Sequence, residues 1–433
     1  MTLFDSATRH RRCSQIRRAT LTGMTRGLAS DGAASSCSAT DVPKKTRYIA
    51  PRRSHRRLHG IDVARAVAVL GMVMVHFAPN QAPDTALGNL YSVSHGRASV
   101  LFVLLAGVGI ALLVGYRSHG QPNRRPSLVR GRLVFRGALL LPLGLWLQQP
   151  DLEALVILQY YALYFLFAAL VLTLPDRWLL AGGATVLISG PVIYLWGKML
   201  VPEWFTRGGD PASLDDPIGK ITDDLLLTGA YPLVTWAAPL LFGLWIGRRD
   251  LASAWVRWGL LVLGLAVAVA AVLATDWLAT AFDRPLEGPG GPGFAGLLTD
   301  EPHSQMPLWM LGSIGSACTV LGGMLLLAGW LPRMMWPLAA TGQLALTVYV
   351  GHLLLLDAYP ELLRSETVPE AFFTVGVFMV LVAAVCTLWR AVLPRGPLEA
   401  LLAAPWEIIE GLVQLVARWF ASGRSARRPN HGQ

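Results

Sequence analysis

Beginning at residue 62, apolar runs of about 17 to 23 residues alternate with short polar breaks, and a helix of about that length crosses a hydrocarbon core of roughly 30 Å. Ten such windows are present, at 62–78, 97–116, 131–148, 152–174, 177–198, 229–247, 254–274, 306–330, 338–356 and 369–390. The third carries Arg132 and Arg136 near its start, and the fifth is interrupted by Gly190 and Pro191. The pattern predicts an all-α polytopic membrane protein with about ten transmembrane helices. Beyond the last window, residues 396–417 mix Leu, Ile, Val and Trp406 with Glu407 and Glu410, which predicts an amphipathic helix lying in the membrane interface.

Composition sharpens this reading. Of 433 residues, 53% are hydrophobic and 15% charged, and the mean hydropathy is +0.47. Soluble domains carry roughly 25% charged residues, so a soluble enzyme or a disordered chain is excluded. The net charge of +10 lies wholly in residues 1–57, which hold 13 Lys and Arg against 3 Asp and Glu. This segment contains no 7-to-15-residue apolar run of a secretory signal and is expected to be a disordered basic cytoplasmic leader, with Met24 an alternative start. It has almost no aromatics to interleave with its arginines, so no nucleic acid partner is expected. Cys13 and Cys37 lie in the leader, Cys318 and Cys386 in apolar runs, and neither a disulfide framework nor a metal site is indicated.

Basic residues are retained on the cytoplasmic side of a membrane. With the leader inside, Arg117, Arg124, Arg125, Arg130 and Arg132 fall in the first inner loop, and Arg177, Arg248, Arg249, Arg333 and the tail arginines also fall inside. Both termini are then cytoplasmic, and two acidic loops, one with Glu203 to Asp224 and one with Asp276 to Glu301, lie outside. The expected organisation is a leader (1–57), an N-terminal helical half (58–200), an extracytoplasmic acidic loop (201–228), a C-terminal helical half (229–390) and an interfacial helix with basic tail (391–433).

Titratable groups in spans are costly and mark sites or pathways. His76, His95, His303 and His352 all fall on the extracytoplasmic side of this arrangement. In the first span Arg65 and His76 are eleven residues apart, about 20° beyond three helical turns. They share one face about 16 Å apart along the axis, with Asp62 one turn below the arginine. Two readings stand side by side: an interfacial ion pair with a capping histidine, or a polar stripe whose outer end is a reactive imidazole. His95 opens HGRASVLFVLLAGVG, where Arg97 enters the membrane. For His95 and for the segment Glu301 to Ser304 the plain alternative is a solvated loop, and for His352 it is a core histidine bonded to a neighbouring helix. Tyr160, Tyr161 and Tyr164 either bond across helices or line a cavity. There is no phosphate-binding loop, dinucleotide fingerprint, His-Glu-x-x-His helix or nucleophile elbow.

The stretch RLHGIDVARAVAVLGMVMVHF, followed by HGRASVLFVLLAGVG, resembles the N-terminal half of bacterial members of the heparan-alpha-glucosaminide N-acetyltransferase-like family. EPHSQMPLWMLGSIGSACTVLGGMLLL and WPLAATGQLALTVYVGHLLL resemble the YeiB-like membrane domain, and together the likeness covers residues 57 to 390. Asp62, Arg65 and His76 are also similar to the first-helix pattern of bacterial membrane O-acyltransferases. The resemblance implies transfer of an acyl group, acetyl above all, from cytoplasmic acyl-CoA to an extracytoplasmic sugar or cell-envelope glycan, in a bacterial inner membrane. It implies His76 or His95 as catalytic base, with His76 standing where lysosomal members carry Asn. Asp62, Arg65, Arg97, His303, Ser304 and His352 are the expected substrate-binding residues. A proton-coupled transporter or flippase of a small polar or anionic substrate is the second reading, disfavoured by the lack of an evident inverted repeat or of paired broken helices in matching positions. A noncatalytic scaffold is the third, and a homodimer is left open.

Overall fold

The computed structural model describes residues 58–79, 85–115, 125–148, 154–201, 211–281, 294–299 and 302–425, so the leader, Arg117 and Arg124 of the expected inner loop, and parts of both acidic segments lie outside the described residues. Among the described residues there are helices and no strands. In chain order they are α1 (His59–Phe77), α2 (Ala86–Ser94), α3 (Arg97–Val114), α4 (Pro126–Leu147), α5 (Leu158–Val171), α6 (Asp176–Leu200) and α7 (Ile218–Asp223), which runs on as a π-turn over Asp224–Thr228. They continue with α8 (Leu233–Ile246), α9 (Ala254–Ala281), a 3₁₀ turn (Phe294–Leu298), α10 (Pro307–Trp330), α11 (Trp336–Gln343) and α12 (Ala345–Ala358). The chain closes with the single turn α13 (Pro360–Leu363), α14 (Val368–Val392) and α15 (Pro397–Ser425).

The protein is a multi-pass membrane protein. Among the described residues, six helices are long and apolar enough to cross a membrane, and up to eight if each of two bent pairs counts as one span. Each of the ten apolar windows holds a helix, but α5 is short at 14 residues and α4 carries Arg130, Arg132 and Arg136. Two of the long helices carry an exposed tryptophan near each end, the placement that interfacial aromatics favour. Trp178 and Trp196 on α6, and Trp255 and Trp277 on α9, are all exposed. Their spacings of 18 and 22 residues correspond to about 27 and 33 Å of helix, close to the roughly 30 Å of a hydrocarbon core.

α1 is the central helix, packed by α3, α10, α11, α12 and α14; Val63, Ala64, Ala66, Ala68, Val69 and Val73 are completely buried. By contrast, only 17% of the apolar window of α9 is buried within the protein, so its leucines and valines face lipid. Helices in lipid associate by close packing, and small residues permit it. Gly107 on α3 and Gly243 and Gly247 on α8 form one such crossing: a Cβ at 107 would stand 2.7 Å from the Leu244 nitrogen, and one at 247 would stand 2.7 Å from the Val108 carbonyl.

Four boundaries differ from the sequence pattern. α4 begins five residues before its apolar window, because Pro126 fits the first helical turn. α6 passes through Gly190 and Pro191 unbroken; an intact helix at this proline is consistent with the tight seating of Gly190 against Val234 and Thr235 of α8. The window at 338–356 is two helices, α11 and α12, bent by 78° at Leu344. The break is satisfied by Glu399 at the start of α15, whose carboxylate accepts from the amides of Leu346 (2.8 Å) and Thr347 (3.1 Å) and from the Thr347 hydroxyl (2.6 Å). These are charge-assisted caps on a helix N-terminus, where a negative charge is favoured. Finally, residues 218–228 of the expected acidic loop are helical, bent by 58° from α8, and Asp224 is buried. Two bent helix pairs are therefore present among the described residues.

Candidate active site

α1 carries polar groups near both of its ends. At the N-terminal end the Arg65 guanidinium donates to Asp62 at 2.9 Å, and Asp62 is 3% exposed. Gly109 of α3 leaves room for that guanidinium, since a Cβ there would lie 3.1 Å from its Nη2. Arg132 and Arg136 of α4 are both partly buried. The charges of Arg65, Arg132, Arg395 and Glu407 are all felt at Arg136, so this end gathers four arginines against few carboxylates. α15 covers it: the Trp406 ring lies 6.1 Å from that of Phe135, and Glu407 pairs with Arg395 at 2.8 Å.

At the other end, His76 in the last turn of α1 meets His352 of α12, with Nδ1 to Nε2 at 2.9 Å. His352 is 1% exposed, while His76 keeps part of its surface open. Phe77 and Tyr349 stand around His352, at ring separations of 6.4 and 5.2 Å, and Tyr349 is itself fixed by accepting from the Ile157 amide at 3.1 Å. The end of α1 is tied down by the Ser365 amide donating to the Phe77 carbonyl at 2.8 Å.

His95 follows α2 and contacts the Tyr91 hydroxyl at 3.3 Å through Nε2, and Tyr91 in turn donates to the Pro79 carbonyl. Gly96 reverses the chain into α3 with φ of +69°, a conformation that favours glycine. The space a side chain would fill there is taken by the rings of Trp309 and His303. Arg97 opens α3 immediately after this turn. His303 feels the charge of His95, and its own charge reaches His76. The fold thus gathers the four histidines about one end of the bundle, and sets Asp62 and Arg65 at the other.

The loop that delivers His303 is strained. His303 and Gln305 both have positive φ, 61° and 62°, at an expected cost of order 1–2 kcal/mol each for non-glycine residues. Ser304 between them is 2% exposed, and its hydroxyl accepts from the Met306 amide at 3.3 Å. Gln305 holds the loop in place: it donates to the carbonyls of Gly229 and Ala230, both at 3.2 Å, and accepts from the Thr235 hydroxyl at 2.8 Å. Behind it, Tyr160 donates to Asp224 at 2.7 Å and accepts from the Ala230 amide at 3.2 Å. Tyr164 donates to the Tyr231 carbonyl at 2.6 Å, and the Tyr231 ring abuts His303 and Trp236. Tyr160 and Tyr164 therefore bond across elements, whereas the buried Tyr161 hydroxyl has no hydrogen-bond partner among the described residues.

Gln305, Thr235, Tyr231, Trp309 and Asp224 support the site without having been singled out in the sequence. For Asp224 a signal existed, since a carboxylate followed by Leu-Leu-Leu is unusual for a solvated loop. For the others the local pattern contains none.

Burial, and secondarily the charge of His95, holds the His303 imidazole down to about 4. A histidine with a folded-state pKa below its ordinary 6.5 favours the neutral form, so its contribution to stability is complete above pH 6.5 and is lost as pH falls from 6.5 towards 4. Thermal melts should therefore show stability falling on acidification through that window, and falling less in His303→Asn, since Asn also tolerates positive φ. Equal acid sensitivity in the two proteins would contradict this assignment.

Among the described residues, no three or more His, Cys, Asp or Glu side chains are grouped to hold a metal ion. Residues 57–275, just over half of the chain, match the family model described as heparan-alpha-glucosaminide N-acetyltransferase, catalytic. Residues 299–404 match that described as protein of unknown function, DUF418. No curated protein matches the chain. The boundary between the two matches falls inside the site: His76 and His95 lie in the first, His303 and His352 in the second.

Proposed function

The chain belongs to the heparan-alpha-glucosaminide N-acetyltransferase catalytic family, and on that premise we propose that it moves an acetyl group from acetyl-CoA across a bacterial inner membrane to a sugar or envelope glycan. In this reading the helices form ten spans, with α4 and α5 completing the set, and both termini are cytoplasmic. Arginine favours the cytoplasmic face, so the donor binds at the arginine end. Its phosphates meet Arg65, Arg132 and Arg136, and the thioester points towards the histidines.

The chemistry asked of the histidine end is removal of one proton. An acceptor hydroxyl or amine attacks the thioester carbonyl as His76 Nε2 takes its proton. The tetrahedral intermediate then collapses, the C–S bond breaks, and the CoA thiolate leaves and recovers a proton from the imidazolium. Imidazole suits the task because its pKa lies near the working pH. His95 is the other residue within this cluster able to act as base, while Arg97, His303 and Ser304 orient the acceptor. The observation that carries the reading is the polarity of α1: Arg65, bonded to Asp62, lies near one end of the central helix and His76, bonded to His352, lies in its last turn, a separation of about 16 Å of helix that suits a donor anionic at one end and reactive at the other.

The test is binding and slow hydrolysis of radiolabelled acetyl-CoA by the purified protein in nanodiscs. Saturable binding with release of acetate supports the proposal. The two bent helix pairs favour a second reading, transport, because broken helices are common at transporter substrate sites. Proton-driven uptake of solute into vesicles without any CoA requirement, together with no binding of acetyl-CoA, would establish that reading instead.

A further inference from the structure

The bond between His76 and His352 joins the two matched regions of the chain, and its geometry determines where protons sit. The ring planes differ by 8° and the centroids are 5.2 Å apart, while the facing nitrogens are 2.9 Å apart. The excess of the centroid separation over the nitrogen separation is about two ring radii, so both nitrogens lie on the line between the centroids. The rings are coplanar and joined edge to edge by an in-plane N–H···N bond at ideal length. They are not stacked face to face.

In such a bond one nitrogen carries the proton and the other does not. His352 Nδ1 lies 3.3 Å from the Val348 carbonyl, one turn back along α12, and a carbonyl oxygen can only accept. His352 in its neutral form therefore carries its proton on Nδ1, which leaves Nε2 bare. The bare Nε2 accepts from His76, so His76 carries its own proton on Nδ1. The remaining nitrogen of His76, Nε2, is then unprotonated, on the residue of the pair that keeps surface open.

We propose that His352 is a positioning residue that holds His76 in the Nδ1–H tautomer, so that the C-terminal region of the chain sets the base used by the N-terminal region. This rests on the acetyl-transfer reading for its purpose, though not for its geometry. The buried second histidine occupies the place that a carboxylate takes in triads, orienting the imidazole and selecting its tautomer. A neutral imidazole does this without placing a fixed negative charge in an apolar site, where an unpaired carboxylate is costly.

The test is nitrogen-15 NMR of histidine-labelled full-length protein in nanodiscs near pH 8, with the His76 signals assigned by their loss in His76→Gln. Wild-type His76 should show a protonated Nδ1 and a bare Nε2. This spectrum does not depend on enzyme activity. His352→Gln, whose side-chain amide oxygen can accept in place of Nε2, should keep the tautomer and most of the acetyl-CoA turnover. His352→Leu should lose the tautomer and reduce kcat by about 10-fold or more, as expected when the partner that selects a base's tautomer is removed, with KM within about two-fold. A wild-type His76 protonated on Nε2 overturns the proposal, as does a His352→Leu protein with unchanged tautomer. Absence of acetyl-CoA turnover in wild type with the Nδ1–H tautomer present would count against the acetyl-transfer reading and leave the tautomer assignment standing.

Discussion

Replacing His76 by alanine should lower acetyl transfer by about 10²–10⁴-fold, the range expected when a general base is removed, while acetyl-CoA affinity stays within a few-fold of wild type. The separation of effects follows from the architecture. In the proposed reading, affinity for the donor arises at the arginine end, where Arg65, Arg132 and Arg136 would meet its phosphates, and the histidine is about 16 Å away along α1. The substitution also strips a partner from the buried His352, which is expected to lower stability by about 1–3 kcal/mol. His76→Gln restores a hydrogen-bonding side chain at the position but not a base. Both variants should bind acetyl-CoA, and both should show this loss of turnover. Full activity in a folded His76→Ala protein would move the base to His95.

The largest structural effect is expected at the crossing of α3 and α8. Gly243→Leu places a branched side chain against the Leu104 backbone, and a Cβ alone would stand only 3.1 Å from its Cα. Backbone atoms cannot swing aside as a flexible side chain can, so the helices must separate along the Gly107–Gly243–Gly247 track. A loss of about 3 kcal/mol or more, at the upper end for overpacking, should appear as a large drop in melting temperature or as failure to yield monodisperse protein. Gly376→Leu on the outward face of α14 is the control, because nothing lies within 4 Å of a Cβ there. Equal melting temperatures for the two variants would contradict the close crossing.

Much of the architecture was readable from the sequence because lipid imposes a simple code: an apolar run of sufficient length must become a helix. The shared face of Arg65 and His76 was readable for the same reason, being periodicity within one helix. What escaped depends on partners distant in the chain. The break at Leu344 is stabilised by Glu399, more than fifty residues away in sequence. Asp224 is buried against Tyr160, 64 residues before it. The His76–His352 bond spans 276 residues, so sequence spacing could place both rings on one side of the membrane but not bring them together. The positive φ angles at His303 and Gln305 had no glycine to announce them. They are imposed by what Gln305 bonds to, the carbonyls of Gly229 and Ala230 and the hydroxyl of Thr235.

Proteoliposomes of uniform orientation test the central claim most directly. Radiolabelled acetyl-CoA is supplied on one side, and glucosamine, as a probe acceptor, only on the other. The account predicts labelled N-acetylglucosamine when acetyl-CoA is on the arginine side and none when the two compartments are exchanged. Transfer with both substrates required on the same side, or in neither arrangement while the protein binds acetyl-CoA, would contradict a path running from the arginine end of α1 to the histidine end.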